Sequence, residues 1–327
     1  MYLLITIDTE GDNAWARKGY ENSTRNARFL PRFQELCDGF GYKPTYLTSY
    51  EMAKDEFFIE FATATLKRNG CEVGLHPHPW NSPPEHRVTS NDMVMLPYMI
   101  EYPEDVIREK VRIHTELLED GIGSKAYSHR AGRWAFNATY ARILCRFGYK
   151  VDCSVTPYVK GLLPDRADSE RVKVELPDYS TFPAEPYFLD EQDISQPGDL
   201  PLLEIPMTIV PNYGKTLRSI YELLPGQLCR RLFRAVSGAP VKWFRPSRRR
   251  PADLLQVAKT KVEEKAEYIM FMIHSSEFMP GCNPQFRNEQ EIDRLFDNIH
   301  GAFQWLHQHG AKGATCIDFY NVFSEMV

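Results

Sequence analysis

The string GLHPHPW places His76 and His78 two residues apart, each followed by a proline. A residue before proline is biased to extended backbone, and in an extended chain the side chains at i and i+2 point the same way. Two imidazoles converging from one stiffened stretch suit chelation of a divalent metal. Upstream, TIDTEGD offers Asp8, Glu10 and Asp12 around Gly11, where the chain is free to turn. Crowded carboxylates repel and raise at least one pKa unless a cation sits among them. One carboxylate with two histidines is the ligand set of a catalytic zinc site with open positions, or of a non-haem iron site. A second carboxylate beside it can act as base toward a metal-bound water. Spacing alone leaves the roles of Asp8, Glu10 and Asp12 open, and Asp12 equally suits an N-cap or solvated loop.

SHRAGRW brings Arg130 to a strand end, where a guanidinium can pair with a carboxylate, lower its pKa and fix its direction. Arg133 reads as a surface residue or a substrate contact. MFMIHSSEF puts His274 after the most apolar strand, where a buried imidazole needs a polar partner. Asp152, ending the YKVDCSV strand, is the partner expected for it. Trp15, Trp80, Trp134 and Phe278 each lie near one of these polar clusters, placed either to stack on sugar rings or to pack. His86, His114, His300, His307 and His309 have no second ligand at a telling distance.

These residues need a scaffold that gathers them. Short apolar runs recur at 2–7, 43–48, 71–76, 126–129, 149–155, 202–207, 268–273 and 314–317. Helical patterns lie near 24–38, 53–69, 103–119, 137–147 and 252–266. The clearest runs from Asn288 to His309, with Ile292, Leu295, Phe296, Ile299, Phe303 and Leu306 three and four apart and Gly310 as a stop. Alternating strand and helix implies a mostly parallel sheet covered by helices. Asp8, Glu10, His76, His78, Arg130, Asp152, His274 and Asp318 all fall at or just beyond C-terminal strand ends, which a barrel collects around one mouth. We therefore expect an α/β fold, a distorted (β/α) barrel of about seven strands, as one domain over 1–327. A loop or hairpin insertion is expected at 158–200, where Pro, Asp and Glu are frequent, and a basic segment at 223–252.

With 327 residues, 43% hydrophobic and 25% charged, the chain can bury a sizeable core. A net charge of −5 argues against nucleic-acid binding by the molecule as a whole. Seven scattered cysteines without a CxxC pair suit reduced thiols. The opening MYLLITIDTEGD reads as a first strand rather than a signal peptide, so a cytoplasmic protein is expected.

In its order of parts the chain resembles the NodB-type polysaccharide deacetylases, the fourth carbohydrate esterase family, and within them a divergent branch similar to the WbmS-like proteins of O-antigen loci. That order is an acidic motif, a histidine motif, an arginine motif, an aspartate motif and a late histidine, supplied here by TIDTEGD, EVGLHPHPW, HRAGRW, DCSV and MIHSS. Two departures stand out. Thr9 and Glu10 replace the second of two adjacent aspartates, and the histidines stand two rather than four apart. The resemblance implies Asp8 as base, Arg130 as its tether, His274 as general acid, Asp152 as the tuner of His274, and Glu10, His76 and His78 as ligands to a divalent metal, with zinc the expected ion. Trp15, Trp80, Arg133 and Trp134 are the expected substrate contacts.

The implied reaction is hydrolysis of an N-acetyl group on an acetamido sugar of a surface polysaccharide, or of its lipid- or nucleotide-linked precursor. Rival readings are a metal-dependent hydrolase of another C–N or glycosidic bond, a non-catalytic carbohydrate-binding barrel, and an iron oxygenase. The segment 223–252 lacks acids but carries Arg230, Arg231, Arg234, Lys242, Arg245, Arg248, Arg249 and Arg250, interleaved with Leu232, Phe233, Trp243 and Phe244. It suits peripheral contact with an anionic inner-membrane surface or a substrate diphosphate, or else a solvated face whose arginines pair with acids elsewhere.

Overall fold

The opening YLLITIDT is apolar without clean alternation, the pattern of a strand covered on both faces. In a computed structural model of the chain, which describes residues 1–12, 23–160 and 177–326, it forms β1 (Tyr2–Thr9), buried from Leu3 onward. Parallel neighbours flank it: β10 (Tyr268–His274), in register from Tyr2 with Tyr268 to Asp8 with His274, and β2 (Pro44–Thr48). Beyond β2 follow β3 (Glu72–Leu75), β4 (Ser128–His129), β5 (Val151–Asp152) and β7 (Leu203–Glu204), all parallel, then β6 (Tyr187–Phe188), antiparallel. β11 (Lys312–Ala314) pairs with the start of β1. The sheet curls until the chain after β7 returns to β10: Tyr268 donates to the Pro206 carbonyl at 2.7 Å and Met270 N–H to Thr208 Oγ1 at 2.8 Å. The result is a distorted (β/α) barrel, closed there by isolated hydrogen bonds.

Helices α1 (Leu30–Asp38), α2 (Glu56–Lys67), α4 (Glu104–Ile122), α5 (Ala138–Arg146), α8 (Ala252–Glu263) and α9 (Glu289–Gln308) fall where the periodicity predicts them. The six apolar positions read from α9 are all buried, Asn288 caps its start by accepting from Glu291 N–H, and Gly310 follows its end at φ +77°. α3 (Asp92–Met95) is one turn in the loop after β3. The late strand ends earlier than the 314–317 run suggests, because Thr315 caps α10 (Cys316–Ser324) and Asp318 completes a capping box there. Asp318 is thus a helix-end residue, half-exposed, rather than part of the mouth.

Of the 158–200 stretch, 161–176 lies outside the described residues; the rest includes β6 and a turn in which Asp190 accepts from Gln192 and Asp193 N–H. The basic segment overlaps a helical excursion, α6 (Lys215–Leu223) and α7 (Gly226–Ser237), between the two strands of an antiparallel ribbon, β8 (Ile209–Pro211) and β9 (Val241–Trp243).

Candidate active site

Alternation along the end of β1 sends Thr6, Asp8 and Glu10 to one side, and Arg130, just beyond β4, reaches the first two. Arg130 is fully buried and its donors are committed: Nη1 to Asp8 Oδ1 at 2.5 Å, Nη2 to Thr6 Oγ1 at 2.9 Å, Nε to the Cys153 carbonyl at 3.0 Å. Burial alone would raise the Asp8 pKa, but Arg130, then His76 and His274, outweigh it and hold the carboxyl below its usual value.

His76 and His78 arrive side by side from the extended segment after β3, their rings 4.9 Å apart and nearly perpendicular. Both Nε2 atoms converge on one oxygen, Glu10 Oε1, at 2.9 and 2.7 Å. His76 Nδ1 sits 2.8 Å from the Arg130 carbonyl, which can only accept, so Nδ1 carries the proton and Nε2 turns a lone pair toward the carboxylate. A second proton or a cation must relieve that opposition. Burial opposes charge on Glu10, yet the two imidazoles hold its pKa well below normal; burial likewise opposes charge on His76, yet Asp8 and Glu10 hold its pKa above normal. Three buried ligand atoms within 4.8 Å of one another, on one acidic and two imidazole groups, fit a divalent ion such as zinc. A metal there would be held by Glu10, His76 and His78.

His274, at the end of β10, faces this group: Nε2 is 3.9 Å from Asp8 Oδ2 and the ring is partly exposed. On its other side Nδ1 lies 3.4 Å from Glu277 Oε2, which also accepts from the His274 backbone N–H at 3.0 Å. Arg245 Nη2 stands 3.4 Å from Nδ1 and 3.5 Å from Glu277 Oε2. Burial would raise the Glu277 pKa; Arg245 and His274 reverse that and lower it. A buried carboxylate behind an imidazole fixes the orientation of the ring.

Asp152 is a correction. It was expected behind His274, but it bonds His129 Nδ1 at 2.5 Å and Ser154, while His129 Nε2 meets the Tyr140 hydroxyl at 2.9 Å. Burial keeps His129 below its ordinary pKa, and burial plus the neighbouring Asp152 push Glu204 well above its own. The knot joins β4, β5 and β7 beneath the site.

The expected substrate contacts divide. Trp15 lies outside the described residues. Trp80 lies against His78, ring centroids 4.4 Å apart, and lines a cavity of about 470 Å³ with Tyr50, His86 and Asp92. Trp134 covers the Arg130 guanidinium at 4.9 Å and meets Trp243 at 6.0 Å. Arg133 is partly buried, and its guanidinium holds the Leu96 carbonyl and Tyr98, so it braces the 96–98 loop. Phe278 belongs to the core, stacked on Phe33 at 4.8 Å. Asp12 accepts from Ser23, Arg25 and the Asn26 N–H, the loop-capping role. Sequence reasoning missed Glu277, although its position three residues after His274 has the spacing of a capping box. It missed His129 as well, whose partners come from other elements.

No family model and no curated protein matches the sequence. Solved structures do. A Mycobacterium smegmatis protein assigned as a polysaccharide deacetylase is 14% identical, with a TM-score of 0.55 over 99% of this chain and 91% of its own. Puue allantoinase is 12% identical, with a TM-score of 0.56 over 99% and 89%. A GH57 branching enzyme of Thermococcus kodakaraensis is 12% identical, with a TM-score of 0.51 over 98% and 70%. At such identities the likeness is one of fold, and that fold is the NodB-like (β/α) barrel.

Proposed function

We propose that the protein is a metal-dependent hydrolase that removes the N-acetyl group from an acetamido sugar of a surface polysaccharide or of its carrier-linked precursor. The observation that carries this reading is the buried trio Glu10, His76 and His78 lying directly beside an Arg130-held Asp8 and a His274 backed by Glu277. A bound divalent ion, zinc by expectation, would make water a stronger nucleophile and polarise the amide carbonyl. Asp8, kept ionised by Arg130, accepts the proton of the attacking water. His274, on the far side of Asp8, donates a proton to the departing amine nitrogen, its ring oriented by Glu277. Trp80 and Trp134 offer apolar faces to a sugar ring. Acetate and an amino sugar are the products. We also place the enzyme in the cytoplasm, in keeping with seven free cysteines.

Metal analysis of the purified protein, with an acetate-release assay on lipid- and nucleotide-linked acetamido sugars, tests the reading. Glu10→Gln, His76→Ala and His78→Ala should lose metal and activity together. Asp8→Asn and His274→Ala should keep metal and lose about a hundredfold or more in turnover; Asp12→Ala should keep both metal and turnover. Stoichiometric metal in all three ligand variants would sink the assignment. The equal fold likeness to Puue allantoinase favours a second reading, hydrolysis of a cyclic C–N bond. A ring-opened product without acetate would select it.

A further inference from the structure

We propose that the α6–α7 helix pair is a seat on an anionic bilayer surface that holds the barrel mouth toward a lipid-carried substrate. Isolated exposed apolar residues are ordinary on a protein surface, but concentration of them is not. Of the large apolar side chains exposed among the described residues, six stand on these two short helices: Leu217, Ile220, Leu223, Leu228, Leu232 and Val236. Leu223 is 82% exposed, Leu228 69%, Leu232 61% and Val236 91%. Leu228, Leu232 and Val236 recur every four residues and so form one stripe along α7, while Leu217 and Ile220, three apart, share one face of α6. The stripes are not what holds the pair together. Tyr213, Tyr221 and Phe233 do that, with ring centroids 5.6 to 5.9 Å apart.

Charge selects the occupant. Arg230 and Arg231 stand exposed on α7 off the stripe, Arg230 donating to the Leu224 carbonyl at 3.3 Å, and 223–252 contains no acid. A second copy docking through the same face would bring two such basic segments together, which like-charge repulsion disfavours. Anionic headgroups meet both demands, accepting the arginines while the acyl boundary takes the leucines. Among the described residues no helix is long and apolar enough to cross a membrane, and α7 has only 12 residues, so the helices lie on the surface. Downstream arginines contribute less: Arg248 reaches Glu291 at 3.5 Å and Arg250 reaches Asp253 at 3.4 Å. The side chain of Arg234 lies outside the described atoms.

The seat is wired to the mouth. β9 follows α7 directly; its Trp243 meets Trp134 over Arg130, and Arg245, two residues on, reaches His274 and Glu277. A surface-seated molecule would therefore meet an acetamido sugar carried by a membrane lipid. That consequence rests on the hydrolase reading above; the seat itself does not.

Flotation of the full chain tests it, using phosphatidylcholine vesicles alone and vesicles containing about one third phosphatidylglycerol. The protein should float with the anionic vesicles only, and rising salt should weaken binding. The triple variant Leu228→Ser, Leu232→Ser, Val236→Ser should partition more than about tenfold less while releasing acetate from a soluble acetamido oligosaccharide at the wild-type rate. Arg230→Gln with Arg231→Gln should weaken binding mainly at low salt. No flotation, or a triple variant that floats like wild type, overturns the proposal. So does a concentration-dependent dimer abolished by the triple variant without vesicle binding, which would make a second copy the occupant. Flotation by a protein that releases no acetate would leave the seat standing and remove the deacetylase reading.

Discussion

Arg130 is the residue on which the site's electrostatics turn. Its buried guanidinium answers a buried carboxylate, so replacing it with methionine strands the Asp8 charge, at a cost of about 3 to 5 kcal/mol. The sign of the accompanying pH effect follows from the causes of the Asp8 shift. Burial raises that pKa and Arg130 is the largest influence lowering it, so its loss leaves burial less opposed and the pKa climbs. In Arg130→Met the acidic limb of the pH–rate profile should therefore move to higher pH, read alongside urea denaturation. An unmoved limb would mean that Asp8 is not the base. Adding Asp8→Asn should recover part of the lost stability, because the stranded charge is gone. At this scale the sequence spoke through local strings: two histidines in one extended run, an acidic cluster after a strand, an arginine at a strand end. Pairings across the barrel were silent. Nothing in the order of residues says that His129, on the neighbouring strand, claims Asp152, or that Arg245 arrives beside His274.

Elements position these groups by close approach as much as by direction. Gly132, in the turn after β4, lies so near the histidine segment that a Cβ there would stand 2.4 Å from His78 Nδ1 and 2.7 Å from the Pro77 carbonyl. Neither neighbour can yield easily, since proline stiffens the backbone on both sides of His78. Gly132→Ala should therefore leave the fold intact by circular dichroism and weaken metal affinity by about 10- to 100-fold, the range for disturbing the support of a ligand. Unchanged affinity would show that His78 is not a ligand or that the turn is compliant. Element type was legible wherever periodicity was long, as in α9 and the strand run YIMFMI. It failed at the two- and three-residue strands β6, β8 and β9, too short to show a period, and where a cap outweighed β propensity, as at Thr315. The α6–α7 pair was visible only as charge, because an apolar stripe with no core to face breaks the rule by which helices are read.

For the whole molecule, acid stability turns on a histidine outside the chemistry. His114 on α4 is fully buried, its ring 5.6 Å from Tyr50, and the Ser49 backbone lies nearby without a well-formed hydrogen bond to either nitrogen. Burial, reinforced by the neighbouring histidines, depresses its pKa from 6.5 to about 3. Below pH 6.5 the unfolded chain binds a proton that the native chain refuses, so native stability falls as pH falls, and the loss continues until about pH 3. Each pH unit in that window costs about 1.4 kcal/mol, so the cumulative loss near pH 4 is on the order of 3 kcal/mol. Carboxylates add their own acid dependence, and comparison with His114→Leu separates the two. The substitution replaces a neutral, poorly partnered ring by an apolar side chain, so at pH 7 it should change stability by less than about 1.5 kcal/mol. Toward pH 4 the variant should become the more stable protein by denaturant titration, with a gap that widens as pH falls. A constant difference across that range would mean that His114 protonates in the native state, through water or a loosened α4, and that the barrel is less tightly closed around it than its burial implies.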